Sequence, residues 1–210
     1  MEFSLSTLTD FYELTMAQTY FDAKKSDMIA YFDLFYRRNP YDGGYAIMGG
    51  LDEIIDFVKN FHFNEKDIEA LRKTGSFSEA FLDYLSKIHF SGDIYAIEDG
   101  TPIFPNEPII TVKAPIIEAQ LIETAILTCF NHATLVSSVT RRIINEADGV
   151  PVMEFGARRA RGIAWSLEAS KYSYIAGCVG TSNVLAGLKY NIPMLGTMAH
   201  SMGEAFDDEY

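Results

Sequence analysis

Three short stretches of this 210-residue chain combine glycine with side chains able to do polar chemistry. They are Glu154-Phe155-Gly156-Ala157-Arg158-Arg159, Gly180-Thr181-Ser182-Asn183 and Gly196-Thr197-Met198-Ala199-His200-Ser201. Arg158 and Arg159 follow a glycine that frees the backbone. A guanidinium there can grip a phosphate or carboxylate through two parallel hydrogen bonds; spacing alone equally allows an exposed pair facing solvent. Gly180 to Asn183 opens a helix that Thr181 and Ser182 can cap, with free amides able to receive an anion. Capping by itself accounts for that pattern. His200 follows a strand on a Gly-Thr turn, where an imidazole can act as base, metal ligand or phosphoryl acceptor. A lone histidine is more often structural or exposed. His62, His89 and His132 show no ligand spacing, so no protein-held metal is expected. No P-loop, dinucleotide glycine fingerprint, nucleophile elbow or zincin pattern is present.

The elements that must position these stretches can be read from periodicity. Thr9 and Asp10 are candidate N-caps for a helix through Phe11, Leu14, Met16 and Tyr20. Alternation and aromatic content over Met28–Arg37 predict a strand. Asn39-Pro40 and Asp42-Gly43-Gly44 mark a loop. Helical spacing recurs over Leu51–Phe61, after Asn64 and after Ser78. From Asp93 to Val112, proline-punctuated short strands suit edges and turns rather than a central parallel sheet. One long helix is expected from Ile116 to Ala147, ended by Asp148-Gly149. Beyond it the pattern is β-α-β-α-β: a buried strand over Val150–Phe155, a helix over Ala164–Ala176, a strand at Gly177–Gly180, a helix over Thr181–Asn191 and a strand at Pro193–Gly196. Tight connections of this kind signal parallel α/β structure. The reactive stretches then fall at strand C-terminal ends, where such folds gather their chemistry. The expected domains are an α+β domain over 1–115, a connecting helix over 116–148, and the first β/α units of an α/β barrel over 149–210. Three strands are too few to close a barrel, so the chain is expected to be a fragment or a truncated product.

The hydrophobic share of 48% is ample for a core, and the net charge is −12. That charge argues against a general nucleic-acid or membrane binder but leaves room for a small phosphorylated ligand. Cys129 and Cys178 are expected to be reduced thiols in apolar surroundings. There is no signal peptide and no run of the ~18 apolar residues a membrane span requires, so a cytoplasmic protein is expected. From the residues alone, the reading ends at an α/β enzyme that handles an anionic ligand.

An ordered series of motifs resembles the nicotinate phosphoribosyltransferase family over essentially the whole chain. It includes Leu8-Thr9-Asp10-Phe11-Tyr12-Glu13-Leu14-Thr15-Met16, Phe32-Asp33-Leu34-Phe35-Tyr36-Arg37, Gly44-Tyr45-Ala46-Ile47, Phe104-Pro105-Asn106-Glu107-Pro108 and Glu118-Ala119-Gln120-Leu121-Ile122-Glu123-Thr124. The three reactive stretches complete it, the second extended through Val184-Leu185-Ala186-Gly187. The resemblance implies an irregular α/β barrel of the type II phosphoribosyltransferase kind, incomplete in this chain. It also implies the joining of nicotinate to phosphoribosyl pyrophosphate, giving nicotinate mononucleotide for NAD biosynthesis. ATP hydrolysis would be coupled through a phosphohistidine, with Mg2+ accompanying the phosphates.

By the same resemblance His200 is the phosphohistidine, and Asp207 and Asp208 are nearby candidates to orient it. The nicotinate ring would lie between Phe155 and Tyr12, with Tyr12 supplied by the second subunit of a homodimer. Arg158 would hold the ribose-linked phosphate and Thr197 would line the nicotinate pocket. Nicotinamide-using relatives carry Asp where this chain has Ser182, and a carboxylate there would repel nicotinate. Quinolinate phosphoribosyltransferases need no phosphohistidine, so His200 argues against them. Two departures stand out. Arg161 occupies a position where many members have Gln, and the family is about twice this long. The missing half would supply the remaining strands, a further arginine and most of the phosphoribosyl pyrophosphate loop. The 210 residues alone are therefore expected to be inactive, and a truncated non-catalytic relative is the alternative reading.

Overall fold

The computed structural model describes residues 3–206, apart from the side chain of Tyr41. Two compact units divide inside the long helix, one running to Leu135 and one starting at Val136.

The first unit holds α1 (Phe11–Asp22), β1 (Ile29–Leu34), β2 (Ala46–Ile47), α2 (Leu51–Lys59), α3 (Glu65–Lys73) and α4 (Glu79–Leu85). It continues with β3 (Asp93–Ala96), β4 (Pro102–Ile103), β5 (Ile110–Pro115), α5 (Ile116–Leu121) and the start of α6 (Glu123–Glu146). The aromatic strand expected from Met28 is β1. It pairs antiparallel with β5, which pairs antiparallel with β3, giving the order β1-β5-β3. Alternation along β5 buries Ile110, Val112 and Ala114. Their partners across the ladder are Leu34, Phe32 and Ala30, so one face of the sheet is apolar. The other face carries the Asp33–Thr111 pair, whose hydroxyl donates to the carboxylate at 2.6 Å. The prolines stand at strand ends, Pro102 beginning β4 and Pro115 ending β5, but β5 is the central strand of its sheet and not the edge strand anticipated. Ile54 and Phe57 of α2 and Phe81, Leu82 and Leu85 of α4 belong to the same buried core. The starts of α3 and α4 are capped by Asn64 and Ser78, the former in a full capping box with Asp67.

Two details of this unit differ from expectation. The single helix foreseen over Ile116–Ala147 is interrupted at Ile122. All six residues of α5 are buried, whereas α6 alternates buried and exposed positions. The embedded turn and the amphipathic helix meet their surroundings differently, and the chain bends between them. Asp10 is the N-cap of α1, yet neither it nor Thr9 caps through its side chain. The Thr9 hydroxyl donates instead to the buried carboxylate of Glu13. Thr124 donates to the same carboxylate at 3.0 Å, and the Asp10 amide donates to the Thr124 hydroxyl at 3.2 Å. The start of α1 is thereby stapled to the start of α6.

Burial raises the pKa of Glu13 above the ordinary carboxyl value, and the two hydroxyl bonds oppose that rise. A carboxyl raised on folding holds its proton more tightly in the native state. Its contribution to stability is therefore greatest in acid and declines as pH climbs through the unfolded and then the folded pKa. Glu13→Gln cannot charge. Its stability relative to the parent is expected to improve as pH rises from about 4 to about 7. Denaturant titrations across that range check this, and a pH-independent difference would refute it.

The second unit contains the rest of α6, then α7 (Ile163–Ile175), α8 (Val184–Tyr190) and α9 (His200–Glu204). Small polar residues let α6 and α7 approach closely: Ser137 donates to the Tyr172 carbonyl at 3.4 Å, and Thr140 and Ser173 hydroxyls meet at 3.2 Å. Tyr172 is fully buried between these elements. The expected strands over Val150–Phe155, Gly177–Gly180 and Pro193–Gly196 lie side by side and parallel. They are reduced to isolated bridges, Glu154 with Thr181 and Thr181 with Met194, so the middle segment pairs through Thr181, which was expected to open the next helix, and that helix starts only at Val184. The first segment is not a buried strand. Val150 and Met153 are exposed.

Candidate active site

The bridged segments fix the geometry of the site. The Val179 amide donates to the Val152 carbonyl, Glu154 to Gly180, and Ser182 to Glu154, all at 2.9–3.0 Å. On the other side Thr181 donates to Pro193 at 3.0 Å and Leu195 to Thr181 at 2.9 Å. Glu154, Thr181 and Met194 are thus adjacent rungs of one parallel ladder. Their chains leave it in the same direction. Phe155 and Ser182 come immediately after their rungs; Thr197 and His200 follow the third. Gly180 is required by this closeness, since a Cβ there would lie 2.5 Å from the Pro193 carbonyl oxygen.

Past the first rung, Ala157–Arg159 forms a 3-10 turn that presents Arg158 and Arg159 to solvent. The reason for Gly156 differs from the one inferred by sequence. Its φ is −91°, open to any residue, but a Cβ would sit 3.1 Å from the Glu154 carboxylate. Past the second rung, capping falls to Asn183 rather than to Thr181 or Ser182. Its side chain accepts from the Ala186 amide at 3.3 Å. Thr181, fully buried, accepts from the Asn183 amide at 3.0 Å, and Ser182 remains exposed. Past the third rung, Thr197 is exposed and His200 is the first residue of α9. The orienting candidates Asp207 and Asp208 lie outside the described residues. Cys178, beside the second rung, is buried, and its thiol pKa is raised by burial and then by Glu154. Cys129 is partly buried, and neither cysteine is in a disulfide.

Electrostatics favour an anion at these loop ends. The ion pairs Arg72–Glu79, Lys73–Glu69, Lys87–Asp83 and Lys113–Asp93 lie on the surface of the first unit. None engages Arg158, Arg159 or Arg161. In a chain of net charge −12, uncommitted guanidinium groups beside exposed amide-rich turns are a natural place for phosphate or carboxylate.

In the first unit, Tyr12 lies half-exposed on α1, and its hydroxyl donates to Glu123 at 3.4 Å. Partial desolvation, then the Glu123 charge, raises its pKa, so the phenol keeps its proton. Glu123 also accepts from Gln120 at 3.0 Å and lines a cavity of about 640 Å3. Phe35, Tyr36, Arg37, Arg38 and Asn131 share that lining. Sequence reasoning singled out neither this cavity nor Glu154. Two adjacent arginines ending an aromatic strand were the available signal for the former.

A solved human nicotinic acid phosphoribosyltransferase superposes with a TM-score of 0.86 at 34% identity, over 94% of this chain and 40% of that one. A nicotinate-nucleotide pyrophosphorylase from Pyrococcus furiosus shares the fold with a TM-score of 0.77 at 20% identity, over 97% of this chain and 44% of its own. The fold is thus the α/β fold of the N-terminal region of type II phosphoribosyltransferases. The model of the nicotinate phosphoribosyltransferase N-terminal domain matches residues 7–131. A nicotinate phosphoribosyltransferase of Mycobacterium tuberculosis is 45% identical over 201 residues, 96% of this chain and 43% of that protein. One of Bacillus subtilis is 40% identical over 207 residues, 99% of this chain and 42% of that protein. The chain belongs to the nicotinate phosphoribosyltransferase family, and it spans about two fifths of the length of these relatives.

Proposed function

We propose that this chain forms the N-terminal part of an ATP-coupled, cytoplasmic nicotinate phosphoribosyltransferase. The single observation that carries the reading is the parallel Glu154–Thr181–Met194 ladder, which sends the three polar loop ends out on one side. Phe155 offers a face for the pyridine ring, and Arg158 a bidentate partner for the ribose-linked phosphate. Thr197 lines the ring's pocket, and the neutral Ser182 spares the nicotinate carboxylate a like charge. The ring nitrogen forms its bond to ribose C1 as the bond to pyrophosphate breaks. His200 attacks the ATP γ-phosphorus, an N–P bond replacing the bond to the departing ADP oxygen. Among described residues no cluster of His, Cys, Asp or Glu is arranged to hold a metal. In this reading Mg2+ comes with the substrate phosphates, where it keeps most of its waters.

Tyr12 completes the ring clamp from a second copy of the chain in this reading, and further β/α units complete the barrel. The exposure of Val150, Met153, Val184, Leu185 and Leu188 supports such cover. No helix of the described residues is long and apolar enough to cross a membrane.

The test compares the 210-residue chain with one carrying the remaining length of the relatives, given nicotinate or nicotinamide, phosphoribosyl pyrophosphate and MgATP. The longer chain is expected to form nicotinate mononucleotide and the short one to show no turnover. Inactivity of both supports a non-catalytic relative. Tyr12→Ala in the active chain is expected to raise the nicotinate KM roughly 2- to 13-fold, the worth of one aromatic stack of about 0.5–1.5 kcal/mol. Its ATPase rate should hold, and an unaltered KM would remove Tyr12 from the clamp.

A further inference from the structure

The Glu154 carboxylate stands between the first two loop ends, and two of its three bonds reach residues distant in the chain. Its Oε2 accepts from the Thr181 hydroxyl at 2.6 Å and the Ser170 hydroxyl at 2.9 Å. Its Oε1 accepts from the Gly156 amide at 2.5 Å. Ser170 and Thr181 are both fully buried. Their hydroxyls also stand 3.2 Å apart, and Ser170 reaches the Ser166 carbonyl at 3.0 Å. Thr181 in turn accepts the Asn183 amide, and the Asn183 side chain donates to the Ser166 carbonyl at 3.3 Å. One side chain therefore ties the loop after the first rung to the second rung and to α7.

We infer that Glu154 is a positioning residue that holds the Phe155–Arg158 turn and the Ser182 turn in register as one binding surface. Three features converge on this. The carboxylate takes the Gly156 amide, which fixes where the chain turns after Phe155. It anchors Thr181, whose neighbour Ser182 presents the second turn. A Cβ at position 156 would stand 3.1 Å from Glu154 Oε1, so the carboxylate lies directly against the turn. An acidic side chain set directly beside an anion site would otherwise oppose binding. With both oxygens occupied by donors, its charge faces inward and is shared among them.

The inference rests on the proposed ring and phosphate site, and its test separates the two. Glu154→Met keeps length and volume but removes both acceptors. Glu154→Gln can turn its oxygen to the Gly156 amide and its amide to the two hydroxyls, which rotate to accept. In the full chain, Glu154→Met is expected to raise the nicotinate KM roughly 5- to 150-fold, the loss of uniform binding that follows when buried polar contacts shaping the site are unmade. Its kcat should stay within about threefold, and Glu154→Gln should keep KM within about threefold of the parent. Amide exchange read without ligand should show Gly156 and Asn183 losing protection in Glu154→Met, with β5 unchanged. Should Glu154→Met fail to fold, Thr181→Val against Thr181→Ser asks the same question, Val loosening the turns and Ser restoring them. A parent that binds no nicotinate overturns the proposed function and leaves the exchange experiment to judge Glu154. A parent that binds, with unchanged KM and unchanged Gly156 protection in Glu154→Met, overturns the positioning role.

Discussion

His200→Ala in the full chain is expected to make nucleotide formation indifferent to ATP, the coupled ATPase falling by about two orders of magnitude or more, on the order of 3 kcal/mol. The argument begins with what the imidazole does not do. It is exposed at the start of α9, and no described hydrogen bond or ion pair holds it. Removing it should change stability by no more than about 0.5 kcal/mol, as for other surface positions without a structural role. Any large loss of activity is then chemical. The imidazole follows the third rung of the ladder, on the side where Arg158 and Ser182 also emerge. There a neutral ring nitrogen can take a phosphoryl group and the uncommitted arginines can balance its charge. The measurement is the ratio of ADP released to nicotinate mononucleotide formed, with and without ATP, beside a thermal melt. A variant that keeps its ATP stimulation and melts with the parent would place the phosphoryl acceptor elsewhere.

How far such residues could be found by reading depends on whether their signal is local. The three loop ends were legible because each is a short apolar run broken by glycine and polar residues, and tight βα connections force such ends to one side. The strands of the first unit were legible for a similar reason, since β1 alternates visibly and prolines mark its neighbours' limits, but their antiparallel pairing was not. What local pattern could not show is which contact wins. Thr181 looks like a cap, yet its hydroxyl is drawn to Glu154, 27 residues earlier, and Asn183 caps instead. Thr9 is likewise captured by Glu13. Glu154 itself reads as an ordinary polar position beside a strand end. Its importance comes from Ser170 and Thr181, which only folding brings to it. The break at Ile122 was hidden for a related reason, because apolar periodicity continues across it while the surroundings change from fully buried to half-exposed.

Phe81→Ala is expected to cost about 3–5 kcal/mol, the range for emptying a large aromatic site in a packed core. Phe81 is fully buried, and its ring stands 5.7 Å from Phe21, 5.8 Å from Phe77 and 6.3 Å from Tyr84. Three aromatic neighbours cannot collapse into the space together, since each is held by its own backbone element, so much of the cavity should persist. Under the proposed function the consequence would be felt at Tyr12 through α1. Phe21 lies near the end of that helix and Phe11 at its start, the latter 5.7 Å from Phe77, so one aromatic cluster braces both ends of the helix that carries Tyr12. The other brace is the Glu13–Thr124 staple. Chemical denaturation should show the loss at unchanged m-value, and Phe81→Leu, which refills most of the volume, should recover more than half of it. If Phe81→Ala were nearly neutral, the cluster would have relaxed and α1 would owe its position to the staple alone. In that case Thr124→Val, not Phe81→Ala, should be the substitution that raises the nicotinate KM.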